Sequence, residues 1–215
     1  MKNKFYGVLN VAAAVFAAAA VICISVTATV LFRPLYYFDM EYLNISEISG
    51  IPKEIVRDNY DALIDYNLLG GPSELIFPHM SMSREGEIHF EEVKDIFVFM
   101  QVVSIASIVL FLLWILVFIK RKKAPFRWLR LTGAVAAAVA IIVGAAVLID
   151  WDWTFSAFHK IIFRNDFWIF DPQTDPVINI LPERFFMHCG VMIITLSFIQ
   201  IIILQVVYSR LKEKK

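Results

Sequence analysis

At 215 residues, 59% hydrophobic composition and a mean hydropathy of +0.67, the chain carries more apolar surface than a water-soluble domain of its size can hide. Twenty basic residues balance twenty acidic ones, so no net basic charge points to nucleic acid.

The apolar residues lie in four runs. Phe5 to Phe32, Ile96 to Ile119 and Leu131 to Ile149 carry no charge, and Met187 to Tyr208 is broken only by His188, Gln200 and Gln205. A helix rising ~1.5 Å per residue needs about 20 residues to cross a ~30 Å hydrocarbon slab, and all four runs reach about that length. Lys2 and Lys4, the link from Lys120 to Arg130, and the tail with Arg210, Lys212, Lys214 and Lys215 hold twelve of the basic residues and only one acid, Glu213. Short Lys/Arg-rich segments stay in the cytoplasm during insertion. The expected fold is therefore all-α and integral to the membrane. Residues 1–32, 96–119, 131–149 and 187–208 are the spans. Residues 33–95 and 150–186 form an extracytoplasmic cap, 120–130 a basic cytoplasmic loop, and 209–215 a cytoplasmic tail.

The first run is about twice as long as a signal-peptide core of about 7–15 residues, so a retained anchor is expected despite the small residues Val26-Thr27-Ala28. Cys23 is deep in that run and Cys189 near the start of the last, which argues against a disulfide. In the first outer loop, Arg33-Pro34 stops the first helix. An amphipathic helix is expected from Pro52 to Leu68, with Ile55, Val56, Tyr60, Leu63, Ile64 and Leu68 as its stripe and Gly70-Gly71 as its stop. Leu75–Met82 and Glu87–Phe90 then pair as a small hairpin around Arg84-Glu85-Gly86; the alternative starts the second long helix at Glu87. The third run carries Gly133, Ala136 to Ala138, Ala140 and Gly144, small residues that let helices pack closely in lipid. After it, Thr154–Phe163 reads as a short helix at the membrane surface, with Phe155, Phe158, His159, Ile162 and Phe163 on one face. Asn165-Asp166 breaks it, and Pro182-Glu183 opens the last long helix.

Chemistry can reside in four histidines, His79, His89, His159 and His188, all on the outer side under this topology. His89 and His159 come from different loops yet both fall near headgroup depth. The aromatic density of the second loop, including Trp151, Trp153, Trp168 and Phe186, fits either an interfacial belt or a pocket receiving acyl chains. Several enzyme classes lack their residues: there is no His-Glu-x-x-His zinc helix, no Gly-x-Ser-x-Gly elbow and no phosphate-cradling glycine loop. Two further readings compete with catalysis by histidine: a non-enzymatic four-span partner protein, and a metal-dependent hydrolase built on His79, His89 and a carboxylate.

Two stretches carry a family likeness. His89-Phe90-Glu91-Glu92-Val93-Lys94-Asp95 resembles the segment leading into the second helix of bacterial lipoprotein intramolecular transacylases. Phe155-x-x-Phe158-His159, continuing through Phe163, Asn165-Asp166 and Trp168 to Asp171-Pro172 and Phe185-Phe186, resembles that family's second signature. The layout of four spans and two outer loops agrees; His79 is an additional histidine outside both motifs. The resemblance implies an acyltransferase that needs no cofactor and no metal. Its substrate would be the diacylated N-terminus of a lipoprotein, together with membrane lipid, at the outer leaflet of the bacterial plasma membrane. It implies no particular oligomeric state. His89 and His159 would be catalytic, with His159 as base and His89 as acid or the reverse. Glu92 or Asp95 would orient an imidazole, and Tyr60, Tyr66, Phe155, Phe158, Phe163, Asn165, Asp166, Trp168 and Phe186 would shape the pocket.

Overall fold

The structure, a computed structural model, describes residues 2–121 and 127–213. Residues 122–126 of the expected basic loop, and Lys214 and Lys215 of the expected tail, lie outside the described residues. Every regular element among the described residues is helical. Four helices are long and apolar enough to cross a membrane: α1 (Lys2–Leu31), α5 (Arg84–Arg121), α6 (Arg127–Ile149) and α8 (Glu183–Glu213). Between them lie α2 (Pro34–Tyr42), α3 (Ile45–Ser49), α4 (Lys53–Tyr66), α7 (Trp151–Ile162) and one 3-10 turn, Pro176–Ile180.

The chain divides into two units, and each long helix contributes to both. The first unit comprises Met1–Thr27, Met100–Ala145 and Val191–Lys215. Its core is built from small residues of α1 and α6, with Ala14, Ala18 and Ala136 almost fully buried. Side chains of this size permit the close backbone approach that drives helix association in lipid. Polar side chains find partners across the helices: Ser25 Oγ and Ser197 Oγ are 2.9 Å apart, and Gln200 Nε2 donates to Ser25 Oγ at 2.8 Å. Gln205, another polar break in the last run, donates to the Leu129 carbonyl at 3.2 Å. A polar group in hydrocarbon must be satisfied internally, and these are.

The second unit comprises Ala28–Phe99 and Ala146–Gly190. Pro34 does end α1 but also opens α2 within its first turn, the helical position where its missing N–H costs nothing. Tyr36, fully buried, stacks on Tyr60 of α4 with ring centroids 3.6 Å apart and donates its hydroxyl to the Ile180 carbonyl at 2.7 Å. The α4 stripe supplies Val56, Tyr60, Leu63 and Ile64 to this core, and Gly70 adopts φ +81° after the helix, a conformation only glycine takes freely. Arg33 links α1's end to α4 through Asp61 at 2.8 Å and Asp65 at 2.5 Å.

The hairpin expected around Arg84-Glu85-Gly86 is absent; those residues are the first turn of α5. The deciding signal is Ser83, an N-cap. Its Oγ accepts the Gly86 N–H at 2.9 Å, and its carbonyl accepts the Glu87 N–H at 3.0 Å. Asp175 accepts the N–H of Ser83 at 2.7 Å, and Glu85 and Glu87 suit the positive end of the helix dipole. A side chain at Gly86 would displace this carboxylate, because an added Cβ would fall 2.4 Å from Asp175 Oδ1. At 38 residues, α5 is about 57 Å long against a ~30 Å slab. Residues 84–95, expected in the loop, are therefore helical, and His89 stands in α5 rather than ahead of it.

Asp175 is almost fully buried, and its other oxygen accepts Thr174 Oγ1 at 2.7 Å. Asp175→Ala leaves the part-buried Ser83 N–H without its acceptor and should destabilise the protein by about 1 kcal/mol. Thermal unfolding in detergent measures this; a melting temperature equal to wild type would contradict the capping role.

Candidate active site

The site is made where the first turns of α5 meet α7 and the segment that follows it. Asp150 caps α7, accepting the Trp153 N–H at 2.9 Å. The helix ends at Phe163, whose extended backbone turns the chain away after its N–H bonds the His159 carbonyl at 2.8 Å. A spacing of four residues brings Phe155, His159 and Phe163 together: the His159 ring lies 4.2 Å from Phe155 and 5.7 Å from Phe163. Trp168 completes the enclosure, stacked on His159 at 4.7 Å and 29°.

His89 enters from α5, only 6% exposed. Its ring meets Phe163 at 4.8 Å and Phe170 at 5.4 Å, both edge-on, and its centroid is 6.3 Å from that of His159. Its Nδ1 is buried without a hydrogen-bond partner. His159 differs. Its Nδ1 is 2.7 Å from the Phe155 carbonyl, and since a carbonyl can only accept, Nδ1 carries the proton. Nε2 then holds the lone pair and is the free base. Burial lowers the pKa of His159 from its ordinary value, with the Phe155 hydrogen bond working the other way.

The expected carboxylate orienter is replaced by a backbone carbonyl. Glu92, one turn beyond His89, instead accepts two contacts from Asn165 Nδ2, at 3.0 and 3.2 Å, while Asn165 Oδ1 accepts the Phe167 N–H at 3.1 Å. Asp95 is exposed. Glu92 and Asn165 thus tie the two histidine-bearing segments together. Phe186 joins the enclosure through Phe155 at 5.7 Å, whereas Phe158 and Asp166 are exposed. Tyr60 and Tyr66 are core residues: Tyr60 stacks on Tyr36, and Tyr66 lies beneath the Lys94 ammonium at 4.1 Å. His79 is exposed and pairs with Asp58 at 3.3 Å, and no group of three metal-ligating side chains assembles among the described residues.

A model of the lipoprotein intramolecular transacylase family, Lit, matches residues 11–186. The solved structure of the membrane-integral enzyme Lit from Bacillus cereus is 30% identical and superposes with a TM-score of 0.89, over 99% of this chain and 98% of that one. A histidine-to-alanine variant of the same protein, also 30% identical, gives a TM-score of 0.81 over 100% and 98%. A histidine-to-arginine variant gives 0.77 over 99% and 96%, again at 30% identity. No curated protein matches the chain.

The chain belongs to the lipoprotein intramolecular transacylase family. It is accordingly a transacylase-family protein that crosses the membrane several times.

Two features of this transacylase-family chain escaped the sequence. Phe170 stacks on Phe90 at 5.3 Å while capping His89, although no spacing rule connects residues so far apart. Asp39 is wholly buried and lies 2.8 Å from Nδ1 of His188. Burial raises the Asp39 pKa and the His188 contact opposes that rise. Neither residue has a local pattern to mark it.

Because folding lowers the His159 pKa, the neutral ring persists below pH ~6.5 and stability falls as pH drops below that value toward the folded pKa. Histidine labelled at Cε1 and followed by NMR should show this ring titrating below 6.5. A midpoint at or above 6.5 would contradict the geometry.

Proposed function

We propose that this chain catalyses intramolecular O-to-N acyl transfer on diacylated lipoproteins. The acyl chain on the central glyceryl oxygen moves to the α-amine of the N-terminal cysteine, giving an N-acylated, lyso-glyceryl product. Family membership supports the substrate class. The observation that carries the mechanism is the convergence of two imidazoles from separate segments, 6.3 Å apart, inside an aromatic enclosure.

From carbonyl carbon through nitrogen, Cα, Cβ, sulfur, two glyceryl carbons and the ester oxygen, the transition state closes a ring of about eight atoms, one that confinement must help to form. The amine must lose a proton to attack, and the departing glyceryl oxygen must gain one. His159 Nε2, neutral and free, suits the base; His89, its ring centroid 6.3 Å away, suits the acid. No covalent acyl-enzyme is required.

On the same reading both termini are cytoplasmic and the site opens toward the outer leaflet, because the Lys/Arg-rich segments fall on the other side of the spans. The enclosure of Phe155, Phe163 and Phe186 holds the acyl chain.

The purified protein in detergent, given a diacylated lipopeptide, should yield the N-acyl, lyso-glyceryl form by mass spectrometry. His89→Ala and His159→Ala should each lower the rate by about 10²–10⁴-fold while the melting curve stays close to wild type. Wild-type conversion in both variants would overturn the assignment. The rate should rise with pH up to about 8, where the α-amine (pKa ~7.7–8.0) becomes neutral, since His159 is already unprotonated there. A rate that fell between pH 6.5 and 8 would contradict this order of protonation.

A further inference from the structure

Tetrahedral chemistry at the ester carbon needs a donor for the developing oxygen charge, and neither histidine is assigned to it. Among the described residues, three buried side-chain nitrogens lack a hydrogen-bond partner: His89 Nδ1, Trp151 Nε1 and Trp168 Nε1. All three belong to one chain of ring contacts. His89 faces His159 at 6.3 Å, His159 stacks on Trp168 at 4.7 Å, and Phe155 lies 6.3 Å from Trp168 and 5.7 Å from Trp151. A buried donor left unpaired costs about 1–3 kcal/mol, and native structures keep few of them. An indole nitrogen can only donate, so whatever completes Trp168 must be an acceptor.

Resting on the reading above, we propose that the Trp168 indole N–H is the oxyanion donor of the transfer reaction, and that Trp168 is therefore a catalytic residue. As the amine nitrogen bonds the ester carbonyl carbon, the carbonyl π pair moves onto oxygen, which accepts the Trp168 N–H. The amine proton passes to His159. The intermediate collapses when the oxygen lone pair re-forms the carbonyl and the carbon–oxygen bond to the glyceryl group breaks. That departing oxygen takes a proton from the imidazole pair, so the pair's proton count is restored and the products are an amide and a hydroxyl. Trp168 is placed for this because its ring stacks on that of the base, 4.7 Å away, and its buried N–H has no partner in the protein. Its surroundings are aromatic, so no protein acceptor competes for the N–H. A donor in a dry site is worth more than the same donor in water.

The test replaces the N–H alone. Trp168 is exchanged for 3-benzothienylalanine, which keeps the bicyclic shape and substitutes sulfur for N–H, and Trp168→Phe is made beside it. The readouts are lipopeptide conversion under saturating and limiting substrate, and the melting curve. The benzothienyl protein should melt as wild type does, keep KM within about two-fold, and lose about 10²–10³-fold in kcat, as the loss of one oxyanion donor does elsewhere. Its pH profile should keep the wild-type shape, which a displaced His159 would not. Wild-type kcat in the benzothienyl protein overturns the proposal. So does a loss confined to KM, or a loss accompanied by a shifted pH profile, since either makes Trp168 only part of the wall. If wild-type protein itself gives no N-acyl product, the function reading fails and this proposal with it. If wild type converts substrate and the benzothienyl protein does so equally well, only the role of Trp168 fails.

Discussion

The site depends on the anchoring of the first turns of α5 against the segment that follows α7. His89 offers no hydrogen bond from Nδ1 to hold it; aromatic edges from Phe163 and Phe170 position the ring instead. Packing of this kind is directional, because ring edges and faces carry opposite partial charge. Two polar ties support it. Glu92 holds Asn165, and Asp175 holds the N–H of Ser83. Each tie joins residues that the sequence separates by more than seventy positions, one at the N-cap of α5 and one within its third turn.

These ties explain why α5 is so long. A helix that only crossed a bilayer would need about 20 residues, and α5 has 38. The surplus carries Ser83's cap, the Gly86 contact, His89 and Glu92 in sequence order, one feature for nearly every turn. Catalytic geometry on a helix is held more rigidly than on a loop. Placing His89 in α5 therefore favours a fixed distance to His159, whose own ring is fixed by the Phe155 carbonyl one turn back.

Much of this was legible in the residues. The four spans follow from uncharged runs of sufficient length, and the α4 stripe from its spacing. The helical face of Phe155, His159 and Phe163 follows the same spacing rule. The hairpin reading failed because Arg84-Glu85-Gly86 resembles a turn when read alone. Ser83 three residues before Gly86 was a local cap signal, and its tertiary partner Asp175 has no local signature at all. The expectation that Glu92 would orient an imidazole failed for a related reason. A carboxylate one turn from a histidine is well placed to reach it, but the amide of Asn165 comes within 3.0 Å from the other segment and takes it. The Asp39–His188 pair and the capping ring of Phe170 arise only from tertiary packing.

In the proposed reaction one acyl chain moves within one molecule between two imidazoles. Lipopeptide carrying an isotopically heavy chain on the central glyceryl oxygen, mixed with lipopeptide heavy in its peptide portion, tests it most directly. Every N-acylated product should keep its own chain, so that no product carries both labels. Products carrying both labels, or heavy fatty acid released into solution, would contradict it.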